Sequence, residues 1–229
     1  MTPITVTYFS DVLCIWAYVA QARVDAVKRT FPREVRLDYR FCSVFGDTRS
    51  KIGEGWRDRD GFAGYARHVA GVAVQFEHVA LHPGAWTKVQ PASSLSPHIF
   101  LSAVYDWERS RVPAAIESEP QIFESVMWAL RRGFFHDGLD ISRGEVQRDL
   151  ARPFGVDLEA VDASIEDGSA FARLSTDYQV ADRMKIEGSP TFVLNQGRQK
   201  LFGNVGFRVI EANIKEVLRD PNQDQASWC

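Results

Sequence analysis

Cysteine is scarce in this chain: 229 residues hold three, Cys14, Cys42 and Cys229. An odd, sparse count excludes the disulfide framework that staples small secreted domains. Basic excess is missing as well. Lys and Arg number 27 against 30 Asp and Glu, for a net charge of −3. Nothing in that balance would hold a polyanion, so nucleic acid is excluded as a partner class. No apolar run reaches the ~18 residues that a membrane-spanning helix needs. The opening stretch Met1–Ser10 lacks the basic cluster and long apolar core of a secretory leader, and the chain reads as cytoplasmic. His68, His78 and His82 are scattered, with no cysteine or carboxylate at ligand spacing, so no metal is expected. Internal repeats and low-complexity segments are absent.

What is present is enough apolar material, 45% of residues, for a substantial core. Thr5 to Ser10 alternates and is rich in β-branched residues, which predicts a strand with Val6 and Tyr8 on one face and Thr7 and Phe9 on the other. Residues 15–30 carry Val19, Ala22, Ala26 and Val27 at helical spacing, and Phe31-Pro32 ends that helix. Residues 35–42 alternate again. This β-α-β unit implies parallel strands and a right-handed crossover.

The middle of the chain has no strand pattern. Asp47 to Gly61 reads as a charged loop. Helices are predicted at about 60–71, 95–110, 118–133, 142–151, 157–166 and 169–184. Gly133 is expected just past a helix end. Ser142 and Glu145 have the spacing of a capping box, and Asp157 precedes another periodic run. Strands return only at Thr191–Leu194 and Gln199–Phe202, which flank the short polar turn 195–198 as in a hairpin. A last helix is predicted over 207–218. The order is β-α-β, a helical block, then β-β-α. That is the α/β thioredoxin fold carrying a large all-helical insertion. The expected division is residues 1–50 and 185–221 for the thioredoxin-fold domain, 51–184 for the insertion and 222–229 for a polar tail.

Cys14 is the first residue to ask about. It opens the first helix in Cys14-Ile-Trp-Ala17, where free N–H groups and the positive end of the helix dipole favour thiolate. Such positions lower a cysteine pKa from about 8.5 to roughly 3.5–7.5. The spacing is that of Cys-x-x-Cys, but Ala17 occupies the fourth position. Cys14 can attack a disulfide, and no thiol at +3 can resolve the product. The competing reading is a buried structural cysteine.

Glu187-Gly-Ser-Pro190-Thr-Phe-Val is the second signal, a proline at the start of an apolar strand. A cis Ser189–Pro190 bond would turn the Ser189 backbone toward a ligand, whereas a trans bond would make an ordinary turn. Cys42 ends the second strand, on the sheet edge where Cys14 lies. It is either a distant resolving thiol or a buried strand-end residue. Cys229, the last residue, is given no role.

These segments together resemble the DsbA-like oxidoreductases of the FrnE type. Phe9-Ser-Asp-Val-Leu-Cys14-Ile-Trp-Ala-Tyr18 is similar to their active-site segment, with Ile15 in place of the usual proline and Ala17 in place of the second cysteine. Gly188-Ser-Pro-Thr-Phe-Val193 resembles their cis-proline loop, and Phe134 to Ser142 the segment leading out of the helical insertion. The likeness runs from about Thr5 to Leu218. It implies a functional Cys14, a cis Pro190, and a Ser189 main chain that pairs with an extended substrate such as a peptide or glutathione. Trp16 and Ala17 complete the expected substrate-contacting set.

His98, in Ser93-Ser-Leu-Ser-Pro-His98, lies in a stretch that resembles the start of a family helix facing the site. It is either a group that holds a proton or stabilises the thiolate, or a histidine in water or core.

The resemblance also reaches kappa-class glutathione transferases and 2-hydroxychromene-2-carboxylate isomerases, which use a single serine and a glutathione thiol. The leading expectation is therefore a monothiol oxidoreductase-like enzyme acting through Cys14, with no bound cofactor and with glutathione as candidate co-substrate. A glutathione-dependent transferase or isomerase is the alternative, and a non-catalytic binding protein the third class. A homodimer is expected from the prevalence of symmetric homo-oligomers.

Overall fold

In the computed structural model, residues 3–111 and 121–219 are described. The expected helix start at 118, the polar tail and Cys229 fall outside them. The elements run β1 (Ile4–Ser10), α1 (Ile15–Thr30), β2 (Val35–Phe41), α2 (Gly61–Ala73), α3 (Leu95–Ser110), α4 (Gln121–Phe135), α5 (Gly144–Ala151), α6 (Leu158–Glu166), α7 (Ser169–Arg183), β3 (Thr191–Leu194), β4 (Gln199–Phe202) and α8 (Phe207–Arg219). The strands form one sheet in the order β2-β1-β3-β4. β1 and β2 are parallel with Tyr8 opposite Tyr39, and β3 runs antiparallel to β1 with Phe192 opposite Tyr8.

Strand alternation sorts the core. Tyr8 packs its ring on Phe192 at 4.7 Å and edge-on to Tyr39 at 6.1 Å. That face shares one apolar cluster with Val24 and Val27 of α1, Ile210, Ile214 and Val217 of α8, and Phe123 of α4. Each such fully buried side chain stabilises the fold by roughly 1.5–3 kcal/mol. Phe9 and Val193 point to the opposite face, where a smaller cluster adds Cys42 and Ala181 of α7. The sheet therefore presents both faces to helices, and the C-terminal ends of β1 and β2 meet the insertion.

Three local expectations give way to tertiary effects. Gly133 lies inside α4 rather than past its end. A Cβ there would meet Leu150 Cδ1 at 2.7 Å, so the glycine serves a close helix crossing, while Gly138 at φ +68° supplies the positive-φ step. Ser142 makes no capping box. Its N–H and hydroxyl donate to Asp140 Oδ1 at 3.0 and 2.6 Å, and α5 begins at Gly144. The 47–61 segment contains a π-helical turn at Arg49–Glu54 and a 3₁₀ turn at Arg57–Arg59, anchored by fully buried Ile52. Asp157 does cap α6, accepting from Ala160 N–H at 3.1 Å. Among the described residues no helix is long and apolar enough to cross a membrane.

Candidate active site

The chain leaves β1 at Ser10, turns through Asp11–Leu13 and enters α1 with Cys14 as the N-cap residue. The turn closes by a Cys14 N–H to Asp11 carbonyl bond of 3.1 Å, and the Cys14 carbonyl accepts from Ala17 and Tyr18 N–H at 3.1 Å. The thiol does not cap the helix. It donates instead to the main-chain carbonyl of Ser189 at 3.2 Å. The Ser189–Pro190 peptide bond is cis. The loop is held by Thr191 Oγ1 donating to Gly188 O at 2.8 Å and by Gly203 N–H donating to Pro190 O at 2.8 Å.

Cys14 is only 5% exposed, and burial pushes its thiol above the ordinary cysteine range. A hydrogen bond from the Ser189 side chain and the backbone N–H groups of Ala17 and Trp16 pull the other way, and the nearby Asp11 charge adds to the rise. The expected depression is thus overturned. The helix mouth acts on the sulfur as its position implies, but desolvation in a closed site is the larger effect.

Asp11, which pattern reasoning passed over, is the hub of the site. It is fully buried. Its Oδ1 accepts from Leu13 N–H at 2.9 Å. Its Oδ2 accepts from Val44 N–H at 3.0 Å, Phe45 N–H at 2.9 Å and the Ser94 hydroxyl at 2.8 Å. Its own N–H donates to Ser189 Oγ at 2.9 Å. One residue thereby ties together the turn before Cys14, the loop after β2, the start of α3 and the cis-proline loop. The available signal was an acidic residue set against the apolar pair Val12-Leu13, since a carboxylate enters a core only when fully bonded. Arg131 of α4 is a second buried charge, donating to Ser10 Oγ at 2.7 Å and Gln21 Oε1 at 3.4 Å.

His98 is also fully buried, and not as a proton store. Its Nε2 accepts from Val12 N–H at 3.2 Å, so Nδ1 carries the proton and donates to Tyr178 Oη at 3.1 Å. The ring stacks on Phe41 at 4.3 Å. Burial pushes its pKa down to about 4, against the pull of Asp11. A neutral imidazole with both nitrogens committed neither charges near neutral pH nor donates to Cys14. Its Nε2 stands 3.8 Å from Asp11 Oδ1, which is proximity without an ion pair while the ring is neutral.

The remaining expected site residues separate. Trp16 is half-buried beside the thiol and meets Phe76 edge-on at 6.4 Å. Ala17 is fully buried, so its methyl group is core and offers no substrate surface. Ser189 is 7% exposed and faces Cys14 directly. Cys42 and Cys14 are both free thiols. Cys42 belongs to the cluster on the Phe9 face, apart from the main cluster that holds Cys14, and burial pushes its thiol far up. That placement gives no support to a resolving role.

A family model described as the DSBA-like thioredoxin domain matches residues 5–215. No curated protein matches the sequence. Several solved structures share the fold. A protein described as a probable DsbA oxidoreductase from Streptomyces coelicolor is 21% identical with a TM-score of 0.71, over 99% of this chain and 94% of that one. The cytosolic disulfide reductase DsbM from Pseudomonas aeruginosa, in its structure with GSH, is 18% identical with a TM-score of 0.64, over 93% and 100%. A 2-hydroxychromene-2-carboxylate isomerase is 15% identical with a TM-score of 0.61, over 95% and 98%.

Proposed function

The chain belongs to the DSBA-like thioredoxin domain family, and from that premise we propose that it is a single-thiol oxidoreductase working through Cys14. The Cys14 sulfur, once deprotonated, attacks one sulfur of a disulfide. A Cys14–S bond forms as the substrate S–S bond breaks, and the departing sulfur takes up the proton that Cys14 gave away. Cys14 is oxidised to the mixed disulfide and the leaving thiol is the reduced product. Ala17 offers no second sulfur, so an outside thiol such as reduced glutathione attacks the adduct and returns Cys14 to its starting state. Glutathione is thus a co-substrate in this scheme, which fits a thiol-rich, reducing compartment such as the cytoplasm.

The observation that carries the reading is the 3.2 Å bond from the Cys14 thiol to the carbonyl before cis Pro190. It puts the sulfur beside main-chain groups with which an extended substrate would pair. Mass spectrometry of the full chain after exposure to oxidised glutathione tests it. A glutathione adduct on Cys14 that disappears in Cys14→Ala is expected. An unmodified Cys14 after prolonged exposure at alkaline pH would overturn the reading.

One observation favours a glutathione-dependent transferase or isomerase instead. A lone nucleophile-type residue at the helix mouth, with Ala17 at +3, suits a site that holds glutathione as a reagent rather than exchanging with it. Saturable binding of reduced glutathione, with no adduct and no disulfide reduction, would select that alternative.

A further inference from the structure

The turn that presents Cys14 is held from α7 as well as by Asp11. Val12 N–H donates to His98 Nε2 at 3.2 Å, and His98 Nδ1–H donates to Tyr178 Oη at 3.1 Å. Two elements fix this chain of bonds in place. Phe41 of β2 stacks its ring on the imidazole at 4.3 Å. The Phe41 N–H donates in turn to Asp177 Oδ2 at 3.2 Å, and Arg40 donates to Asp177 Oδ1 at 3.1 Å. Asp177 is buried and is the chain neighbour of Tyr178, so its bonds set the register of α7 that brings the phenol to Nδ1. Asp11 and Arg131 are the charges that bear on His98, and Asp11, Cys42 and Asp177 the groups that bear on Tyr178. Burial pushes the Tyr178 phenol well above its ordinary value, so its hydroxyl stays neutral where a cysteine ordinarily titrates.

A neutral imidazole has two tautomers, and its hydrogen-bond partners choose between them. In the Nδ1–H form Nε2 accepts from Val12, while Asp11 Oδ1 accepts from Leu13 N–H at 2.9 Å. In the Nε2–H form two N–H groups would face each other at the Val12 contact. The acceptor within reach of that proton is Asp11 Oδ1, 3.8 Å from Nε2. The ring would tilt toward Asp11 and release Val12, opening the turn. The Asp11 charge, which raises the Cys14 pKa, would then be shared with the imidazole. A phenol accepts from Nδ1–H or donates to a bare Nδ1, so in the intact chain the Val12 N–H decides the form. Without the phenol oxygen the Nδ1 proton is buried and unpaired. The balance then turns toward the charge-assisted bond to Asp11, which is the stronger kind.

We propose that Tyr178 is a positioning residue for Cys14: its hydroxyl oxygen keeps His98 in the Nδ1–H form, and that form holds the Asp11–Leu13 turn closed and leaves the Asp11 charge bearing on the sulfur. The proposal rests on Cys14 as the reacting thiol and adds a residue that governs its reactivity through His98.

Long-range proton–nitrogen spectra of isotope-labelled full chain report imidazole tautomers, and the His98→Gln spectrum identifies the His98 signals. The parent is expected to carry the His98 proton on Nδ1. Tyr178→Phe keeps the ring, removes the oxygen and is expected to move the proton to Nε2. The pH–rate midpoint for iodoacetamide at Cys14 should fall with it by about 0.5–1 unit, so that alkylation below the midpoint runs about threefold to tenfold faster. Asp177→Asn, which loosens α7 without touching the phenol, should move both readouts the same way by less. In a His98→Gln background Tyr178→Phe should add nothing, because no tautomer remains to be set, whereas mere loosening of α7 would accelerate alkylation there too.

A parent proton on Nε2, a midpoint unmoved in both Tyr178→Phe and Asp177→Asn, or an equal acceleration in the His98→Gln background would overturn the proposal. Alkylation needs no disulfide, so the two readings fail apart. If oxidised glutathione leaves Cys14 unmodified while tautomer and midpoint move together, the exchange reading falls and Tyr178 keeps its role. If the adduct forms and neither readout moves, the exchange reading stands and Tyr178 does not position the site.

Discussion

The Cys14 thiol donates to the Ser189 carbonyl at 3.2 Å, across 175 residues of sequence. The same Ser189 accepts through its hydroxyl from Asp11 N–H at 2.9 Å. The turn before α1 and the cis-proline loop are thus locked together by two short links, one of which is made by the proposed nucleophile itself. While the thiol is protonated the lock is closed. Losing the proton removes that donor and sets Ser189 O against a negative sulfur, while the Asp11 N–H to Ser189 Oγ link does not depend on the thiol.

Alkylation should report this. Burial raises the Cys14 pKa, so iodoacetamide should react slowly near neutral pH and faster as pH climbs above the ordinary cysteine value of about 8.5. The pH–rate midpoint for native protein should lie above that of protein unfolded in urea. Stability follows the same sign. With the folded pKa higher, the unfolded state loses its proton first, so the contribution is whole below about 8.5 and is lost as pH rises through the folded value. A native midpoint at or below the unfolded one would show that the helix mouth outweighs burial after all.

Restoring the second sulfur is the direct probe of the monothiol scheme. Ala17→Cys places a thiol one helical turn from Cys14, at a fully buried position that should tolerate the larger atom at a cost of about 1–3 kcal/mol. After exposure to oxidised glutathione, mass spectra of this variant should show an internal Cys14 bond where the parent shows the glutathione adduct. Persistence of the adduct would mean that the +3 position does not face the sulfur.

Asp11→Ala strips acceptors from Leu13, Val44 and Phe45 N–H and from the Ser94 hydroxyl. Each buried donor left without a partner costs about 1–3 kcal/mol. A loss of roughly 3 kcal/mol or more in urea unfolding is expected, with Cys14 alkylation accelerated as the turn loosens. Ser189→Ala, which removes only the hydroxyl and keeps the carbonyl, should cost about 1 kcal/mol. If the two variants unfold alike, Asp11 is not the hub.

Acid should act through His98. Its pKa is pushed down to about 4 in the folded state, against about 6.5 when unfolded. The folded state therefore resists a proton that the unfolded chain accepts. The stabilisation is whole above about 6.5 and is lost as pH falls toward 4, amounting to about 3 kcal/mol. His98→Gln keeps an acceptor for Val12 N–H without titrating, so its urea midpoint should change much less between pH 7 and pH 4.5 than that of the parent. Parallel losses in both proteins would assign acid sensitivity elsewhere.

Short-range patterning was enough for the scaffold. Alternation at Thr5–Ser10 and Val35–Phe41, the stripe of α1, the apolar strand after Pro190 and the β-α-β, helices, β-β-α order are each set by residues within a turn or a pleat of one another. That sufficed to put Cys14 at a helix mouth and Pro190 at a strand start. What those residues do depends on atoms distant in sequence. The thiol is raised rather than lowered because a closed site excludes water. His98 is neutral because Val12 and Tyr178 occupy its nitrogens. Asp11 is a hub only because two distant segments, the loop after β2 and the start of α3, bring donors to it. Periodicity is a property of neighbours in the chain, whereas desolvation and buried hydrogen bonding belong to neighbours in space. Only the folded molecule settles which those are.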